Sequence, residues 1–111
     1  MQSKYYPIEA FLACLKGKYK IPLLIYLKHG PKRYTQVRKK FPQCSERILI
    51  KQLKELVNEK IVDKTITGKK APLTTNYCLS EYGFSLCNII QDMWEWGEAH
   101  HKNKSLSFSK N

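Results

Sequence analysis

Three cations in this chain are spaced to grip an anionic surface. Arg47, Lys51 and Lys54 stand at i, i+4 and i+7 in "SERILIKQLKELVNEK", Ser45 to Lys60. Projected at about 100° per residue, they gather with Asn58 on one side of a helix. Leu49, Leu53, Leu56 and Val57 gather on the other, with Ile50 at its edge. An arginine near the start of such a helix can hold guanine O6 and N7 through two parallel hydrogen bonds. Lys51 and Lys54 suit phosphate oxygens, which fix register without reading sequence. Ser45 is the natural N-cap, and Glu46 stands in the favourable first turn. Taken alone, a basic stripe opposite an apolar face is as often a plain solvated face. Two further features tip the balance toward DNA: the basic turn Gly68-Lys69-Lys70 just downstream, and a net charge of +11. Such an excess repels itself unless an anion sits against it. Ile48 also points outward. It is a candidate for touching a thymine methyl, against the commoner role of packing on a neighbouring helix.

Other chemistries lack their parts. Cys14, Cys44, Cys78 and Cys87 contain no C-x-x-C pair, and His29, His100 and His101 show no ligand spacing. Neither a metal nor a cofactor is expected. With no Ser-His-Asp set, paired catalytic carboxylates or Gly-rich phosphate loop, no catalytic residue is assigned and no enzyme is expected. Cys44 is a candidate thiol sensor, since a helix N-terminus and nearby cations lower a thiol pKa. The competing reading is a buried small hydrophobe. No run reaches the ~20 apolar residues that span a bilayer. The densest one, Ile21 to Leu27, follows Lys16, Lys18 and Lys20 but leads into "KHGPKR" without a small-residue cleavage site, which argues against export. A cytoplasmic protein with reduced thiols and no membrane partner is the expectation.

Several elements must position these residues. At 111 residues the chain is expected to be one domain over 1–101, with an aperiodic flexible tail over 102–111. Pro7 opens a helix with Ile8, Phe11, Leu12 and Leu15 on one stripe, and Gly17 stops it. A second helix, Lys18 to His29, ends at Gly30-Pro31. Extended residues run through Tyr34, and Thr35 is the expected N-cap of a short helix that ends before Pro42. The basic helix from Ser45 follows. The β-branched run from Ile61, the turn at Gly68 and "TTNYCLS" then make a hairpin. Ser80 caps a last long helix whose Leu86, Ile89, Ile90, Met93, Trp94 and Gly97 form another stripe. The fold class is therefore mainly α (α+β), a winged helix-turn-helix in the order α-α-β-α-α-β-β-α. The stripes on the first and last helices exceed what one small core needs, and they mark a homodimer interface of Ile8, Phe11, Leu12, Leu15, Ile89, Ile90, Met93 and Trp94.

From Pro7 to His100, ordered blocks of the chain resemble the HxlR-type regulators, winged-helix bacterial transcription factors related to the MarR group. "GKYKIPLLIYLKHGPKRYTQVRKKFP" is similar to that family's Gly-Lys-Trp helix, Gly-Pro-x-Arg-Phe strand and following helix. "CSERILIKQLKEL" resembles its recognition helix, "NYCLSEYG" its Glu-Tyr-Ser-Leu-Thr-Glu-x-Gly block, and "MWEWG" its terminal Trp-Gly. The resemblance implies a homodimer, built largely from the first and last helices, on palindromic double-stranded operator DNA, most often as a repressor. By position it carries DNA contact to Lys18, Arg33, Ser45, Arg47, Lys69 and Lys70. Thr35, Gln36, Ile48, Lys51 and Lys54 complete the expected contact set. Departures are equally specific. Many members sense electrophiles or oxidants through a cysteine directly before the N-terminal proline; Tyr6 stands there, so that role is not transferred. Tyr19 replaces the tryptophan, and the wing is more basic than the usual proline-rich tip. A small-molecule or electrophile effector is left unidentified. The rival reading is a basic winged-helix module that binds protein, RNA or an anionic surface.

Overall fold

The apolar periods of the sequence converge on one leucine-rich centre in the computed structural model, which describes residues 6–109 and their side chains through residue 104. In chain order the elements are α1 (Tyr6–Cys14), α2 (Lys20–Leu27), β1 (Lys32–Arg33), α3 (Tyr34–Lys40), α4 (Glu46–Asn58), β2 (Val62–Thr67), β3 (Thr74–Leu79) and α5 (Glu81–Ser109). Leu23, Leu24 and Leu27 of α2 meet Val37 of α3 and Leu49, Leu53 and Leu56 of α4, all sealed from solvent. Each buried leucine contributes about 1.5–3 kcal/mol by leaving water. Tyr77 and Leu79 of β3 and Leu86, Cys87 and Ile90 of α5 close the core from the other side.

The strands form an antiparallel sheet in the order β1-β3-β2. β3 pairs with β2 from Val62↔Leu79 to Thr67↔Thr74, and its other edge takes Lys32 and Arg33 opposite Tyr77 and Asn76. This is the winged helix-turn-helix that the sequence predicts. Ser45 caps α4 as expected, its hydroxyl oxygen accepting the Ile48 N–H at 3.2 Å. Ser80 caps α5 by accepting the Gly83 N–H at 2.9 Å.

Several boundaries differ from expectation. Thr35 is not the N-cap of α3; Arg33 is, and the helix begins at Tyr34. The side chain of Gln36 reaches back and accepts the Arg33 N–H at 2.9 Å, which starts the helix two residues early. α2 is shorter than predicted at both ends, closing at Gly30 with φ +134°. α4 ends at Asn58 because Lys60 turns left-handed at φ 64°. The Ile61 N–H then reaches the Leu56 carbonyl at 3.0 Å and the Lys60 N–H reaches Val57 at 2.9 Å. These are the two bonds of a Schellman stop, with lysine where glycine is usual. α5 continues through 102–109, where the sequence pattern suggested an aperiodic tail. No glycine or proline interrupts "KNKSLSFS", so nothing local forces the helix to end. Residues 110 and 111 of the expected tail, like the first five of the chain, lie outside the described residues.

Candidate nucleic-acid interface

The recognition unit is α3, the turn Phe41–Ser45 and α4, and polar side chains hold it rigid from both sides. Arg38 of α3 donates through Nη1 to the carbonyls of Phe41, at 3.0 Å, and Cys44, at 2.8 Å. One guanidinium thereby satisfies two carbonyls of the helix-to-helix turn. The Tyr34 hydroxyl donates to Glu46 Oε1 at 3.2 Å, which ties the start of α3 to the first turn of α4. Burial, reinforced by Glu46, pushes the Tyr34 phenol above its ordinary pKa. On the opposite flank the Tyr19 N–H donates to Gln52 Oε1 at 2.9 Å, and the Lys20 ammonium lies 3.3 Å from the Glu55 carboxylate. Lys20 and Gln52 are the two buried polar side chains of the core wall. They fix the rotation of α4 about its axis, because Gln52 satisfies a backbone N–H that has no helical partner. Arg38→Ala is expected to lower stability by about 2 kcal/mol in urea unfolding, since two half-buried carbonyls lose a charged donor.

That rotation presents the basic stripe outward. Arg47, Lys51, Lys54 and Asn58 are all exposed, directly opposite buried Leu49, Gln52, Leu53 and Leu56. Ile48 and Ile50 flank the stripe and stay nearly half exposed, so Ile50 is not the core edge that periodicity suggested. Between Lys16 and Lys54 the chain carries twelve Lys and Arg against a single carboxylic side chain, Glu46. At the far end of the β2–β3 hairpin Lys69 and Lys70 are exposed, beyond Gly68 at φ +108°. The Asn76 amide donates to Thr67 Oγ1 at 3.3 Å and to the Thr74 carbonyl at 3.4 Å, bracing the hairpin below its tip.

Other predicted residues hold structural posts. Ser45 and Gln36 each use one acceptor site of an oxygen in capping a helix, and their donors stay free for a ligand. Lys18 lies in the α1–α2 turn over the Tyr19 ring, and the neighbouring Tyr19 N–H meets Gln52 in the middle of α4 rather than near its N-terminus. Arg33 and Thr35 face the wing across a cleft they share with Thr74 and Thr75. Sequence reasoning missed Arg38, Tyr34 and Gln52. Only Arg38 left a signal, as a cation in the last turn of a helix, where carbonyls lack partners.

The predicted seam divides in two. Leu15 and Ile90 belong to the chain's own core, and Phe11 packs partly buried against it. Ile8, Leu12, Ile89, Met93 and Trp94 stand exposed, between 46% and 61%. Cys44, the candidate sensor, is 1% exposed inside the core, closed to any bulky reagent. Cys14 and Cys87 are not activated nucleophiles: burial raises both thiol pKa values, and Glu59 adds to the rise at Cys14. No group of three or more His, Cys, Asp or Glu among the described residues is placed to hold a metal ion.

A sequence model described as HxlR-like helix-turn-helix matches residues 14–105. The chain belongs to the HxlR-like family. It is a helix-turn-helix transcriptional regulator of HxlR/MarR type. YtcD of Bacillus subtilis strain 168, an HTH-type transcriptional regulator, is 36% identical over 106 residues, covering 94% of this chain and 82% of YtcD. The crystal structure of YtcD is similar with a TM-score of 0.79 at 32% identity, over 91% of this chain and 99% of that one. The redox regulator HypR in its reduced form gives a TM-score of 0.79 at 34% identity, over 86% and 93% of the two chains. A MarR-family protein of Enterococcus faecalis V583 shares the fold, with a TM-score of 0.83 at 24% identity over 95% and 94%. Among the described residues of this HxlR-like chain, no helix is long and apolar enough to cross a membrane.

Proposed function

We propose that this HxlR-like chain acts in the cytoplasm as a homodimeric repressor that binds a palindromic operator in double-stranded DNA and catalyses no reaction. The observation that carries the reading is the exposed face of α4, where Arg47, Lys51 and Lys54 project opposite the core. The first turn of α4 enters the major groove, with Arg47 on a guanine edge and the two lysines on phosphates. Lys69 and Lys70 reach the flanking backbone from the wing. A two-fold axis through the exposed apolar residues of α1 and α5 sets the second α4 about 34–36 Å away, one helical turn along the duplex. Burying Ile8, Leu12, Ile89, Met93 and Trp94 against a second copy removes a run of exposed large side chains that a monomer rarely keeps.

Selection of bound fragments from a random duplex pool tests the whole reading, and a palindromic consensus is the expected result. Equal affinity for every duplex would replace it with the rival basic module. Within a selected operator, Arg47→Ala is expected to cost about 1–3 kcal/mol and to relax preference at one base position. Lys69→Ala should instead weaken all sequences alike and flatten the log–log salt slope by about 0.9. Unchanged base preference in the Arg47 variant removes that residue from the reading set.

A further inference from the structure

An open cleft of about 240 Å³ lies between the start of α3 and the base of the wing, lined by Arg33, Tyr34, Thr35, Leu73, Thr74 and Thr75. Its origin is a mismatch in strand length. β1 ends at Arg33, opposite Asn76, whereas β3 begins two residues nearer the wing tip, so Thr74 and Thr75 have no partner on β1. Alternation along β3 puts Thr75 on the same face as Tyr77 and Leu79. Those two are buried and Thr75 is half-buried, so the inner face of the wing continues past the core as a hydroxyl-bearing floor. Arg33 is exposed, and among the described residues it forms no ion pair. Tyr34 turns its hydroxyl to Glu46, which joins this cleft to the reading end of α4.

The lining therefore offers a guanidinium and threonine hydroxyls, without a carboxylate or a side-chain amide. That donor set suits a phosphodiester, whose oxygens only accept, and it holds no amide for adenine and no carboxylate for cytosine. A guanidinium matches two phosphate oxygens at once. We propose that the α3–wing cleft seats one backbone phosphate of the duplex, with Arg33 on two of its oxygens and the hydroxyls of Thr35 and Thr75 donating to them. The seat rests on the DNA-binding reading above. Its effect is to lock the spacing between α3 and the wing, since one phosphate is gripped from both elements.

Duplexes of a selected operator that each carry one neutral methylphosphonate, scanned along both strands, test the seat with the full chain. The unaltered protein is expected to lose about tenfold in affinity at one flanking position per half-site. Arg33→Ala and Thr75→Val are each expected to lose a similar factor on unmodified DNA and nothing further on DNA neutralised at that position. Thr75→Ser, which keeps the hydroxyl, should bind as the unaltered chain does. Losses that multiply at every scanned position would overturn the seat while leaving DNA binding intact. If Thr75→Val melts early, Arg33→Ala decides alone, because Arg33 is exposed at the surface. Absence of duplex binding by the unaltered chain would instead sink the reading on which the seat depends.

Discussion

Gly83→Ala is expected to lower the melting temperature by more than about 10 °C, a loss of roughly 3 kcal/mol for a domain of this size. Gly83 lies in the first turn of α5, where an added Cβ would collide with the carbonyl oxygen of Ile61. That oxygen cannot swing aside as a side chain would. It accepts the Ser80 N–H at 3.1 Å, and it follows the left-handed Lys60 that ends α4 and whose own carbonyl accepts the Ser80 hydroxyl at 2.7 Å. Displacing it moves the joint between the recognition helix and the wing, so the site suffers along with stability. Within the protomer Gly97→Ala is the control, because no atom elsewhere in the same chain lies within 4 Å of a methyl placed there. It is expected to leave the melting temperature unchanged or slightly raised, given the higher helix propensity of alanine. Thermal melts followed by circular dichroism compare the two, and equal losses would refute the steric argument.

Paired replacement of Ile89 and Met93 by aspartate is expected to convert a dimer into a monomer and weaken operator binding at least about 100-fold. Both side chains are roughly half exposed, at 49% and 46%, so the protomer core survives the change. Two carboxylates facing their own symmetry copies cannot be buried without a partner, which makes the association unfavourable. The loss at the operator follows from linkage: in a dimer the second recognition helix binds from an effective concentration near millimolar, typically a gain of about 10²–10⁴. Sedimentation gives the oligomeric state, and binding to full and half operators gives the linkage. The variant should bind both duplexes alike. A variant that remains dimeric at full affinity would place the interface elsewhere. Ile90→Asp would be an ambiguous test, because Ile90 is buried in the core and its loss would unfold the chain.

Exposed apolar residues and the core lie on the same stretches of chain, and this is where sequence reading reached its limit. A helical period reports angle around an axis and is silent about what stands across from it. Leu12 and Leu15 share one stripe in the sequence, yet Leu15, in the turn that follows α1, is buried in the core and Leu12 on the helix is left open. On α5, Ile89 and Ile90 are adjacent in sequence and part in the same way. Long polar side chains posed a second limit. Gln36, expected to meet DNA, also starts a helix, while Arg38 carried no functional expectation and closes the helix-to-helix turn. Such side chains reach several N–H and C=O groups a few residues away, and a helical period does not say which of them they take.

The amino-acid sequence determined by itself what interactions within a few residues can decide: the order of the elements, the caps at Ser45 and Ser80, the hairpin, and the division of α4 into a basic face and a leucine face. Each rests on neighbours no more than two helical turns away. Tertiary structure alone decided which apolar residues face inward, how Gln52 and Lys20 hold α4, and where a short β1 beside a longer β3 opens a cleft lined by Arg33 and Thr75. Those outcomes depend on groups that the sequence holds tens of residues apart and that only packing brings within hydrogen-bonding distance.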